Sequence, residues 1–180
     1  MVTTELAGQG IASTLRSRRI IINLILSANF YMLYWFYLTW KQLKVQTQRD
    51  YHPVWHTLAL LVPIYNLFVL HRHLKTIREL QAEAGLTSPV KVGTIFTLWI
   101  IGGVLDFQST RLAEISAVAE AIVLLIGTGF IAGALILAQR GLNAYWASIG
   151  GESARDARIG VGEIIFVLLG LAYWILVFLP

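Results

Sequence analysis

Five apolar blocks, set apart by short polar stretches, constrain this chain more than any other feature, because a single water-soluble core has no use for apolar runs of that length. Apolar residues make up 57% of the chain and charged residues 13%, about half the charge of an ordinary soluble domain. A soluble enzyme and intrinsic disorder are both excluded. The chain has no cysteine, which removes disulfides, thiol nucleophiles, iron–sulfur clusters and Cys-type zinc sites. Its 14 Lys and Arg residues sit beside the apolar blocks instead of forming a stripe, so they read as topology signals and not as a nucleic-acid surface.

The expected fold is all-α: a polytopic membrane bundle of four or five helices with an amphipathic surface helix. Residues 1–19 form a polar, basic N-terminal segment, and 20–180 a single membrane domain. Helices are predicted at 20–40, 53–72, 89–106, 115–138 and 161–180, with the surface helix at 73–85. The first block is too long for the core of a cleavable signal, and no small-residue cleavage site follows it. Its second half carries Tyr34, Trp35, Phe36, Tyr37 and Trp40, which points to the headgroup level near its end. Pro53 suits the first turn of the second helix, and Pro63 in its middle predicts a kink that frees the Ala59 carbonyl. In the surface helix Leu70, Leu74, Ile77 and Leu80 form an apolar stripe expected against the lipid boundary, and Gly85 ends it. Ser88 and Pro89 open the third helix, which reaches only about 25 Å. Ser153 and Asp156 form a capping box for the last.

Lys and Arg counts orient the chain. Five spans with the N-terminus inside put ten basic residues in the cytoplasm and four outside (Lys41, Lys44, Arg49 and Arg111). If residues 20–72 re-enter instead of spanning, Lys41, Lys44 and Arg49 return inside and the count becomes thirteen to one. Both arrangements stay open.

The run Tyr34-Trp35-Phe36-Tyr37, the opening Pro53-Val54-Trp55-His56, the cluster Pro63-Ile64-Tyr65-Asn66-Leu67-Phe68 and the element Asn143-Ala144-Tyr145-Trp146 together resemble a set of small bacterial inner-membrane proteins, the family called domain of unknown function 4234. The resemblance covers most of residues 20–146. It implies a multi-pass inner-membrane protein without an established reaction.

Few residues carry chemistry. His52 and His56 are four apart, a metal-ligand spacing, but Pro53 places His52 at the helix start and no acid completes a set, so no metal or cofactor is expected. Glu120 is five residues inside the fourth block, where an ionised acid costs about 2.5–3.5 kcal/mol, and Ser116, Gly127, Ile131 and Ala134 share its face. A structural or interfacial carboxylate and an ion-handling one are both consistent with that position. With Pro63, Asn66 and His56 it makes up the candidate intramembrane polar site. Gly129 and Gly133 form a GxxxG for helix packing. No hydrolase, metalloprotease or phosphate-loop pattern is present. The expectation is a non-enzymatic packing or interaction protein in the inner membrane, with membrane lipids, a second copy or other membrane proteins as partners and no nucleic acid. The alternatives are a small transporter or channel subunit centred on Glu120 and the Pro63 kink, and a lipid-directed enzyme using His52 and His56.

Overall fold

The computed structural model describes residues 13–150, 155–156 and 159–179. They fold into helices, apart from a two-residue backbone bridge between Ser13–Thr14 and Arg155–Asp156. The first apolar block is two helices and not one. Helix α1 (Ser17–Leu26) ends in a reversal, and α2 (Tyr31–Thr47) runs on well past Trp40. The break is a Schellman-type stop: the Asn29 N–H donates to the Leu24 carbonyl at 2.9 Å and the Ala28 N–H to Ile25 at 3.3 Å. Ala28 and Asn29 both take positive φ, 44° and 69°, and Ser27 Oγ accepts the Tyr31 N–H at 2.8 Å to start the return limb.

The two limbs run down and back along α7 (Val161–Phe178). Arg19 Nε donates to Glu163 Oε1 at 2.8 Å near the start of α7, and Trp174 Nε1 donates to the Ile25 carbonyl at 2.8 Å near its end. On the return, Phe30 meets Tyr173 and Tyr34 meets Phe166, each with ring centroids 6.4 Å apart. Gly170 permits the reversal to sit there, since a Cβ on it would lie 2.0 Å from Ser27 Cα.

The second block also folds back. Pro53 opens α3 (Pro53–Leu58) as expected, a 3-10 turn covers Ala59–Leu61, and the chain reverses before α4 (Tyr65–Glu83). The predicted kinked helix over 53–72 is therefore two helices. Pro63 lies in the reversal, where Tyr65 N–H donates to Pro63 O at 2.7 Å, and Ile64 between them is held at φ 67°. The Ala59 carbonyl is not freed but accepts the Val62 N–H at 3.3 Å. Helix α4 includes the predicted surface helix and ends before Gly85, at φ 70°. Its stripe does not face lipid: Leu70, Leu74, Ile77 and Leu80 are buried in the protein core, which removes them from lipid and water alike.

Helices α5 (Val92–Leu112), α6 (Ala117–Gly150) and α7 are long and apolar enough to cross a membrane, and mark an integral membrane protein by length and composition. Helix α5 starts three residues later than predicted and continues six further, so its 21 residues reach about 31 Å. Helix α6 is 34 residues long and takes in Asn143 and Trp146. Helix α7 opens at Val161 after Gly160, with no side-chain cap; Ser153 lies outside the described residues, and Asp156 sits in the backbone bridge. Helices α5 and α6 approach closely at Gly102 and Gly127, where a Cβ on Gly102 would come within 3.0 Å of the Gly127 carbonyl oxygen. The predicted Gly129 and Gly133 do not make this contact. A Cβ on Gly129 would meet nothing within 4 Å, and one on Gly133 would meet only Leu98, at 3.6 Å.

Candidate functional site

Three acids lie on the long helices, and each is met by a partner from another element. Glu163, 4% exposed, receives Arg19 and the Asn23 side-chain amide. Asp106 on α5 accepts Asn29 Nδ2 at 2.8 Å, and its other oxygen is pressed against Gly127 with no donor among the described residues. Glu120, 6% exposed, accepts the Tyr173 hydroxyl at 2.8 Å. Satisfying a buried carboxylate offsets part of its desolvation, and removing one partner leaves the other uncompensated. Two of the three pairs tie the first hairpin to the bundle, and the third ties α6 to α7. Glu120 stands in the first turn of α6, where the helix N-terminus favours negative charge.

A second polar line joins the return limb to α6. Trp35 Nε1 donates to Gln139 Oε1 at 2.7 Å, and Gln139 Nε2 to Asn143 Oδ1 at 2.8 Å. Asn143 Nδ2 in turn donates to the Leu15 carbonyl at 3.0 Å. Trp35, Phe36, Trp40 and Trp146 are fully buried, and Tyr34 nearly so, so these aromatics meet other side chains of the protein. Their rings pack on one another: Phe36 lies 5.6 Å from Trp99, and Tyr145 packs on Trp146 at 5.0 Å. Tyr37 is half-buried beside α3.

His73 sits inside this aromatic group, 4.6 Å from Trp40 and 5.1 Å from Phe36 between ring centroids. Thr39 Oγ1 already donates to backbone carbonyls, so His73 Nε2, 3.2 Å away, donates to it. Burial, with His56 nearby, lowers its pKa from 6.5 to about 3 and keeps the ring neutral.

The four residues expected to form one polar centre do not converge. Glu120 is at the α6–α7 contact, and Pro63 and Asn66 line a cleft against Trp99 and Gly103 of α5. His56 stacks on Trp40 at 4.5 Å, and its Nδ1–H donates to the His52 carbonyl at 2.8 Å. His52 and His56 share an exposed cleft with Trp55, which is 71% exposed, and Arg72. Among the described residues no three His, Asp or Glu side chains gather as a metal site.

Glu163 with Arg19 and Asn23, Asp106 with Asn29, and Tyr173 are the members that sequence reasoning missed. Asp106 is the last residue of the predicted third helix, and six further helical residues carry it into the bundle. A comparison with protein-family models, curated proteins and solved structures found no match.

Proposed function

We propose that this protein is a non-enzymatic, multi-pass inner-membrane protein, related to the family called domain of unknown function 4234, that crosses the bilayer three times and carries two re-entrant hairpins. Its work is to present a basic cytoplasmic end to anionic lipid or to other membrane proteins. The observation that carries this is the doubling back of the first block: Arg19 and Tyr34, on opposite limbs, both lie at the Gly160–Glu163 end of α7. With the second block reversed at Val62–Ile64 as well, the five apolar blocks become three spans and two hairpins entering from one side. Every Lys and Arg except Arg111 then falls on that side by its position along the chain, the thirteen-to-one division that orients the N-terminus inside. The partnered acids support a packing role, since each is engaged within the fold.

The chain's lack of cysteine makes single-cysteine labelling clean. Cysteines at Gln46 and Ser88 should react with an impermeant maleimide only from the cytoplasmic side, and one at Glu114 only from the opposite side. Grouping of Gln46 with Glu114 would restore a full first span and reject the hairpin reading.

A small transporter or channel subunit is the second reading, favoured by the buried Asn29–Asp106 pair beside a reversal, where broken helices of transporters hold ions. Reconstituted vesicles decide it. Ion or proton flux in the wild-type protein, lost in Asp106→Asn with the fold intact, would replace the packing role.

A further inference from the structure

The α4–α5 connection and α6 enclose a cleft of about 560 Å³ at the basic end. Its wall is fixed by Gln81, which donates from Nε2 to the Gly141 carbonyl at 3.0 Å and accepts the Val90 N–H at 2.8 Å through Oε1. Gly141 lets the wall close, because a Cβ there would lie 2.1 Å from Val90 Cγ2. Lys91 and Arg140 line the opening with the hydroxyls of Ser88 and Thr94, and Ile95 and Leu137 line it as well. No carboxylate lines the cleft, and the ion pairs among the described residues involve neither Lys91 nor Arg140. Lys91 immediately precedes α5, so the two cations stand where a spanning helix leaves the hydrocarbon, with the apolar lining continuing down its side.

The occupant must therefore be anionic at its head and apolar below it. We infer that this cleft holds the phosphate of an anionic glycerophospholipid between Lys91 and Arg140, with Ser88 and Thr94 donating hydrogen bonds and the first acyl carbons on the exposed Leu137. This deepens the lipid-facing role proposed above and depends on it only for which leaflet the lipid occupies, since the charge and shape of the cleft are the same in either orientation. At about 1 kcal/mol per cation near an anionic surface, the pair favours an anionic over a zwitterionic headgroup by about thirtyfold.

Native mass spectrometry of the full chain in detergent, titrated with phosphatidylglycerol or phosphatidylcholine of matched acyl chains, reads that preference. The wild-type protein should retain phosphatidylglycerol about thirtyfold better. The double variant Lys91→Gln/Arg140→Gln should lose the preference, and Lys75→Gln/Arg78→Gln, on the exposed face of α4, should keep it. Equal retention of the two lipids by the wild type overturns the inference. So does equal loss in both double variants, which would mean diffuse attraction, and so does displacement of the lipid by inorganic phosphate alone, which would mean a soluble-anion site. A phosphatidylglycerol with a photoreactive headgroup, used on the wild-type chain, keeps the test independent of variant folding: crosslinks must fall in 88–94 or 137–144. Failure of the sidedness experiment with this preference intact would reject the proposed orientation and leave the lipid site standing.

Discussion

Trp35 and Gln139, 104 residues apart, are joined by one buried hydrogen bond of 2.7 Å from the indole Nε1–H to the amide oxygen. Gln139 passes the connection to Asn143, so the return limb of the first hairpin is fixed to α6 by a chain of neutral polar groups in an otherwise apolar core.

Removing the donor should therefore cost more than the bond itself. Trp35→Phe leaves Gln139 Oε1 buried without a partner, and the expected loss is about 1–3 kcal/mol in addition to that from the smaller ring. Unfolding in detergent checks this. The double variant with Gln139→Leu should lose less than the sum of the two single variants, and strict additivity would mean the contact contributes nothing.

The close approach of α5 and α6 gives a paired test on one helix. A Cβ at Gly127 would lie 2.3 Å from Asp106 Oδ1, whereas one at Gly129 meets nothing within 4 Å. Gly127→Ala should destabilise by about 1–3 kcal/mol through overpacking, with Gly129→Ala within about 0.5 kcal/mol of wild type. Equal melting temperatures for the two variants would contradict the packing.

Hydropathy could not have found the first reversal. Residues 20–40 hold neither Gly nor Pro, and the break is made by Ser27, Ala28 and Asn29, residues a helix also accepts; Gly170, far along the chain, leaves the room that lets α7 pack on it. Local signals fared better where the chemistry is local. Pro53 opens a helix, Gly85 follows the end of one, and Leu70, Leu74, Ile77 and Leu80 share a buried face. Periodicity tells which face of this stripe is apolar and not what covers it, and here protein covers it where lipid is expected. Glu120 was legible as an acid needing explanation, but its partner Tyr173 stands on α7, which packs on the first hairpin and reaches the start of α6 with this hydroxyl, and no spacing in the sequence reveals that.

Ala28 occupies a left-handed conformation that costs an L-residue roughly 1–2 kcal/mol relative to glycine's freedom there. Ala28→Gly should raise stability by about 0.5–1 kcal/mol after the added entropy of the unfolded chain is subtracted. A lower melting temperature would show that residue 28 is not held at positive φ.

His73 sets a pH dependence of definite sign. Its folded pKa of about 3 lies below the ordinary 6.5, so between these values the unfolded chain binds a proton that the folded protein refuses. Stability from this residue is full above about pH 7 and declines as pH falls through 6.5 toward 3, at up to about 1.4 kcal/mol per pH unit. His73→Phe should flatten the curve between pH 6.5 and 4 relative to wild type, and parallel curves would reject a buried neutral imidazole.

One set of partners of the first hairpin, those on α7, is made last. Arg19 waits 144 residues for Glu163, and the Leu15 backbone waits 128 for Asn143. At ribosomal speeds of about 5–20 residues per second that is roughly 7–29 s during which an arginine and an asparagine on α1 lack their carboxylate. The order of assembly is thereby set by synthesis: α5 and α6 can pair as they emerge and take up Asn29, Trp35 and Leu15 through Asp106, Gln139 and Asn143, but Arg19 and Asn23 gain their carboxylate only with α7, so a chain interrupted before Glu163 lacks the last tie at its beginning.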